Sequence, residues 1–156
     1  MQVNKNQYGR AMSVIPSDTV NIPNPSNNVE SGVSTATVVN GLKSSGAGFS
    51  TNMIGYIVVN EGDLTIANII GFNSDTLLLD DDIFVSGDGF SIYSPNETGC
   101  ALYIPAQAPG ALYVVTVGGD SLRFTSCGSS ASHTILPVNV LKVESTTGLT
   151  GLVALW

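Results

Sequence analysis

His133 is the only histidine of this chain, which also carries twelve side-chain carboxylates. A Ser-His-Asp arrangement needs an imidazole held between a nucleophile and an orienting carboxylate. His133 stands in GSSASHT, which reads as an exposed loop, and the sequence contains no G-x-S-x-G elbow. Asp80, Asp81 and Asp82 form the densest acidic run. Calcium takes six to eight oxygen ligands, but consecutive strand residues point to alternate faces, so three adjacent carboxylates converge only in a loop. No D-x-D-x-D-G loop with a following Glu is present, and the triplet reads as a solvated turn that guards strand ends. A glycosidase pair would need two carboxylates across a cleft. Asp63, Asp75, Asp88 and Asp120 each stand beside Gly, Asn or Ser, where turn formation accounts for them.

The remaining candidates also read as structural. Gly118-Gly119-Asp120 lacks the lysine and the strand-loop-helix context of a phosphate loop. Asn96-Glu97-Thr98 matches a glycosylation triplet, which matters only in a secreted chain. The opening MQVNKNQYGRAMSVIPS has no apolar core of a signal peptide. Cys100 and Cys127 are too few for a disulfide framework and lack C-x-x-C spacing, so free thiols are expected. Tyr56, Tyr93, Tyr103, Tyr113 and Trp156 could stack on sugar rings, but at strand positions such residues more often fill cores or interfaces. The expectation is a chain with no catalytic, cofactor-binding or metal-binding residues, and not an enzyme.

Composition points to assembly. Hydrophobic residues make up 43% of the 156 residues and charged ones 11%. A typical soluble domain carries about 25% charged residues. A surface so poor in charge suits one that other subunits cover, so a homo-oligomer is expected ahead of the alternative, a secreted β protein of low charge. The net charge is −7, and Lys5, Arg10, Lys43, Arg123 and Lys142 are scattered. Phosphate backbones require clustered cations, so no nucleic-acid partner is expected. Residues 100–119 are uncharged and largely apolar, but Pro105, Pro109, Gly110 and Gly118-Gly119 interrupt them, so no membrane segment is expected.

The elements that must carry these residues are strands. Residues 1–35, rich in Asn, Ser and Pro, read as an extended N-terminal arm. Its Val14, Ile15, Val20 and Ile22 need a surface to lie on, supplied by the body or by a neighbour. Residues 36–93 read as a small β-barrel-like module: TATVV, MIGYIVV, LTIANII, TLLL, IFV and FSIY are strands separated by Gly, Asn and Asp turns, with GLKSSGAGFS a loop. Residues 94–156 read as a β-sandwich core, with strands in CALYI, ALYVVTV, SLRFTS, TILPVNVLKV and TGLVALW. VGGDSLRF predicts a tight hairpin in which Gly-Gly supplies positive φ. The apolar terminus LVALW predicts a final strand paired in a sheet or interface. No long stretch keeps a helical period, so the expected class is all-β.

The order of motifs in the last 60 or so residues resembles the head spike base proteins of tailed phages and gene transfer agents. Leu112-Tyr113-Val114, Gly118-Gly119-Asp120, Phe124, Leu136-Pro137-Val138, Lys142-Val143, Thr146-Thr147-Gly148 and Val153-Ala154-Leu155-Trp156 follow the family order, and Ile15-Pro16-Ser17-Asp18 is similar to its N-terminal segment. Residues 36–93 depart from the pattern as an insertion. The resemblance implies a virion protein, assembled in the bacterial cytoplasm, that forms a ring as an attachment platform. The major capsid protein or a neighbouring virion protein would be its partner, together with a fibre or spike. A vertex spike base, a capsid decoration protein and a neck or tail adaptor remain open, as does a carbohydrate-binding receptor module. On this reading Val14, Ile15, Val20, Ile22, Leu152, Val153, Leu155 and Trp156 are the expected oligomer or virion contacts.

Overall fold

The computed structural model describes residues 8–156. The chain is all-β, and among the described residues helix is confined to single 3₁₀ turns at Pro25–Asn27 and Thr51–Met53. In chain order the strands are β1 (Ala11–Ser13), β2 (Asn28–Val33), β3 (Ala36–Val38), β4 (Gly41–Lys43), β5 (Ile57–Asn60), β6 (Thr65–Asn73), β7 (Thr76–Leu79), β8 (Gly89–Tyr93), β9 (Cys100–Ile104), β10 (Gly110–Thr116), β11 (Ser121–Cys127), β12 (Thr134–Val143) and β13 (Val153–Leu155). They form two antiparallel sheets consistent with a β-sandwich, one of seven strands in the order β2-β8-β5-β6-β7-β4-β3 and one of six in the order β1-β13-β9-β12-β10-β11.

Alternation along the strands sorts the side chains of the seven-stranded sheet. Val58, Ala67, Ile69, Leu77, Leu79, Phe90 and Ile92 share one core with Leu42, Ile83 and Phe84. Ile57, Val59 and Ile66 belong to a second cluster, completed by Val20. β5 is thus buried on both faces, which explains why Ile57-Val58-Val59 shows no polar alternation. Ser34-Thr35 alone links β2 to β3, the two edges of this sheet, so the sheet curls back on itself. No ladder joins the two edges, and the expected barrel-like module is an open, curled sheet rather than a closed barrel.

Four local expectations are corrected. The arm was expected to run to residue 35, but Asn28–Val33 is a strand of the seven-stranded sheet, because its backbone completes β8. Gly41–Lys43 is a strand rather than a loop, since it fills the place between β3 and β7. Residues 83–85 form no strand. Their backbone is held instead by side chains: Asn60 Nδ2 donates to Ile83 O at 2.7 Å, and Asp88 Oδ2 accepts from Val85 N at 2.9 Å. The hairpin between β10 and β11 uses one positive φ, not two. Gly119 has φ +86°, Gly119 N donates to Thr116 O, and Thr116 N donates to Asp120 O. That is a three-residue loop ending in a left-handed glycine, where a primed two-residue turn would need both central residues at positive φ.

The six-stranded sheet is organised around β12. Its first part pairs with β9 and its last part with β10, and the register shifts between Leu136 and Val140. Pro137 lies inside that irregularity, where its missing N–H costs no ladder bond. Leu102, Ile104, Leu112, Val114, Val140, Val143, Leu152 and Ala154 form the core. β13 pairs with β9 on one side and β1 on the other, so the apolar C-terminus is held in the sheet.

The segment after β1 lies between the two sheets. Val14 N donates to Leu152 O at 2.9 Å, Ser17 N to Val143 O at 2.8 Å and Ile22 N to Leu141 O at 2.7 Å. Val20 enters the cluster of β5 and β6, while Ile22 enters the core of the six-stranded sheet. The arm is docked on its own body, and its buried Val20 and Ile22 go to different sheets.

Candidate functional site

The described residues do not gather the chemical candidates into one place. His133 is exposed in its loop and stacks on the Tyr103 ring, with centroids 5.3 Å apart and planes 27° apart. Among the described residues no carboxylate or hydroxyl is hydrogen-bonded to it. The three adjacent aspartates aim at three different donors. Asp80 accepts from Asn68 N and Nδ2, both at 2.7 Å, Asp81 from Asp82 N at 2.8 Å, and Asp82 from Asn40 N at 3.0 Å. Asp81 bonds locally, whereas Asp80 and Asp82 tie this segment to residues 12 and 42 positions away, and no group of three or more His, Cys, Asp or Glu among the described residues is arranged to hold a metal.

A shallow cavity of about 350 Å³ brings Asp63, Asp82 and Asp88 to one rim, beside Thr37, Phe84 and Val85. All three carboxylates are hydrogen-bonded, Asp82 by Asn40 N. Asp63 accepts from Thr65 N at 3.1 Å and Thr65 Oγ1 at 2.6 Å. Asp88 Oδ2 accepts from Asn60 Nδ2 and Val85 N, both at 2.9 Å. Asp75 meets Lys43 Nζ at 2.8 Å and sits below the usual carboxylate range, first because Lys43 bonds it and next because Thr76 does. Asp120 closes the β10–β11 loop through its backbone carbonyl. These are structural roles, as turn chemistry predicts.

Asn96 of the glycosylation triplet is 1% exposed. Its Nδ2 donates to Ile22 O at 3.0 Å, and its Oδ1 accepts from Thr98 N and Oγ1. The side chain is a pin for the arm, with no free amide to modify in the folded state. Cys100 and Cys127 are free thiols. Burial pushes the Cys100 thiol up to about 12, and desolvation also raises that of Cys127.

The aromatic residues do not form a platform. Tyr103 lies opposite Ile135 at the start of β12, whereas Tyr113 sits beside Arg123, whose guanidinium lies 5.4 Å from the ring centroid, near the other end of β12. Tyr56 and Tyr93 pack against the clusters of the seven-stranded sheet, and Trp156 packs on the core of the six-stranded one.

The expected contact residues divide. Val20, Ile22 and Leu152 are at most 3% exposed within their own chain, so their side chains have no surface left for a neighbour while the arm is docked this way. Val14, Ile15, Val153, Leu155 and Trp156 are half-buried. The apolar surface left open lies elsewhere. Val29 and Val33 of edge strand β2 are 45% and 52% exposed, Ile70 of β6 is 60%, and Leu122 of edge strand β11 is 38%. Sequence reading missed these positions because Asn28–Val33 has too little β-branched character to announce a strand. Gly71 was the available signal for the irregularity beside Ile70, since glycine inside a strand often marks a bulge.

β2 and β11 end their sheets with six and seven residues, respectively. Each carries one charged side chain, Glu30 or Arg123, and the Arg123 guanidinium lies over Tyr113. Edges are ordinarily guarded by charge, proline or shortness, and these have little of any. Comparison with protein families, with curated proteins and with solved structures finds no match for this chain.

Proposed function

We propose that this chain is a structural protein of a tailed-phage virion, forming a symmetric oligomeric platform on the capsid, as a spike base or decoration protein. The observation that carries the reading is the pair of long, poorly charged sheet edges, β2 and β11, bordered by the exposed Val29, Val33 and Leu122. Open edges offer unpaired N–H and C=O groups to another strand, and adjacent apolar side chains add buried area to that pairing. The low charge content supports the same reading, because a surface destined for burial against sister copies loses little by lacking ions. Identical copies joined head to tail close into a ring when the rotation between them closes. The platform docks on the major capsid protein or a neighbouring virion protein and carries a fibre or spike. The polar clusters give catalysis no support, since Asp63, Asp75, Asp80, Asp82 and Asp88 are each engaged by neighbouring side chains or backbone N–H groups. The dispersed tyrosines give no support to a sugar-binding surface. Sedimentation velocity across a wide concentration range tests the proposal. Rings of one defined copy number are expected, and a monomer that persists at high concentration, with or without capsid protein, overturns it.

A further inference from the structure

We infer that the groove occupied by residues 14–22 is an exchange site, and that in the assembled state it receives the same segment from a second copy of this chain. The inference rests on the assembly reading above. Its ground is where the arm's contacts lie. Val14, Ser17 and Ile22 bond to the backbone of Leu152, Val143 and Leu141. The Asp18 carboxylate accepts from Ser145 N and Oγ, and Lys142 Nζ donates to Asp18 O. Asn68 and Asn96 donate to Thr19 O and Ile22 O. Every one of these partners is at least 49 positions away in sequence. The groove therefore recognises the arm as it would a separate peptide, and the same bonds form whichever copy supplies it.

Residues 23–27 tie the arm to the body, between the buried Ile22 and the start of β2; Pro23 is buried with the arm, and Asn27 is held to the body by bonds to Ser94 N and Pro95 O. Pro23 and Pro25 occupy two of those five positions. Proline holds φ near −65° and disfavours helical backbone in the residue before it, so the tether favours extended conformations. Exchange alters this tether and leaves the docked contacts intact, which makes arm swapping a low-cost route to oligomers. Reach limits the geometry. The six steps from Ile22 to Asn28 span at most about 20 Å when fully extended. The receiving groove must lie within that distance of the donor's β2, so the exposed edge that begins at Asn28 is brought against the acceptor copy.

Asp18 and Ser145 are both exposed, and Asp18 Oδ2 stands 2.7 Å from Ser145 Oγ, so cysteines at these two positions report which copy's arm fills which groove. Full-length D18C and S145C chains, both carrying Cys127→Ser, are unfolded together in urea, refolded, concentrated and oxidised. The expected result is a D18C–S145C disulfide, identified by peptide mass, in a band at twice the 16.1 kDa chain mass on a non-reducing gel. The D18C/S145C double variant, assembled alone, is expected to give linked multimers. If the chain sediments as an oligomer while the mixture stays unlinked and the double variant closes its bridge within single chains, the exchange is overturned and the assembly reading stands. If the chain is monomeric at every concentration, both fall. Retention of cooperative unfolding by each single variant shows that the result reports on docking rather than on misfolding.

Discussion

Asp18 grips Ser145 with both carboxylate oxygens: Oδ1 accepts the backbone N–H at 2.9 Å, and Oδ2 accepts the hydroxyl at 2.7 Å. The two residues are 127 positions apart, so this contact ties the beginning of the described chain to the loop after β12. The Ser145 hydroxyl, then its backbone N–H, hold the Asp18 carboxyl below its ordinary value of 3.8. The sign follows directly. A carboxyl lowered in the folded state contributes stability above its unfolded value, and that contribution is lost as pH falls through the folded one. Asp18→Asn is therefore expected to speed amide exchange at Ser17 and Ile22 near neutral pH, with the difference from the parent shrinking below about pH 3.8. Hydrogen exchange measured at two pH values checks this, and an equal difference at both would contradict it.

Ile22 is 2% exposed and packs in the core of the six-stranded sheet, whereas Val39, at the turn between β3 and β4, is 79% exposed. Truncating a buried Ile to Ala costs about 2–5 kcal/mol, and exposed positions usually change stability by less than about 0.5 kcal/mol. Urea unfolding should place Ile22→Ala in the first range and Val39→Ala in the second. A small loss at Ile22 would mean that the arm is not part of the folding unit.

Asn60 is 1% exposed and makes three bonds. Its Nδ2 donates to Ile83 O and Asp88 Oδ2, and its Oδ1 accepts from Gly62 N at 2.8 Å. Removing the amide leaves buried groups of the 83–88 loop unpaired, at about 1–3 kcal/mol for each group left unsatisfied. Asn60→Ala should lower the urea midpoint and open the loop to limited proteolysis near Val85. Asn60→Asp should also destabilise, because it sets a second carboxylate against Asp88. Unchanged midpoints in both variants would show that the loop does not depend on this side chain.

The two thiols should differ in reactivity. Thiolate is the reactive form, and burial raises the Cys100 thiol to about 12. Cys127 is less buried and raised by less extensive desolvation. At pH 9 a thiol reagent should modify Cys127 in the native protein and reach Cys100 only on unfolding. Equal rates at both positions would contradict the packing of β9.

Edge strands poor in charge can be guarded by adding it. Val33→Lys on β2 and Leu122→Lys on β11 place a cation at an open edge, a device natural sheets use against pairing. Both sites are exposed, so thermal midpoints should stay near the parent value while the oligomer dissociates at lower concentration. Sedimentation together with a melting curve separates the two effects. An oligomer unaffected by both changes would move the interface away from these edges.

The strand content was legible in the sequence wherever alternation or β-branched runs were dense. TLLL is β7, FSIY lies within β8, and SLRFTS lies within β11. The all-β class, the exposed His133 loop and the paired apolar terminus were also local properties, because composition and period decide them. What depended on tertiary structure was which surface each apolar residue meets. Ile83 and Phe84 look like strand residues but enter the core from a loop, because Asn60 and Asp88 satisfy part of its backbone. NVESGV looks like arm but is a strand, because β8 offers it a free edge. Val20 and Ile22, two positions apart, serve different cores because the arm runs between two sheets whose juxtaposition no local pattern encodes. Local sterics and hydrophobic period suffice for the all-β class and for dense strands such as β7, β8 and β11. Which apolar positions the arm covers and which stay open depends on the packing of segments far apart in the chain, because burial is a property of those contacts and not of local pattern.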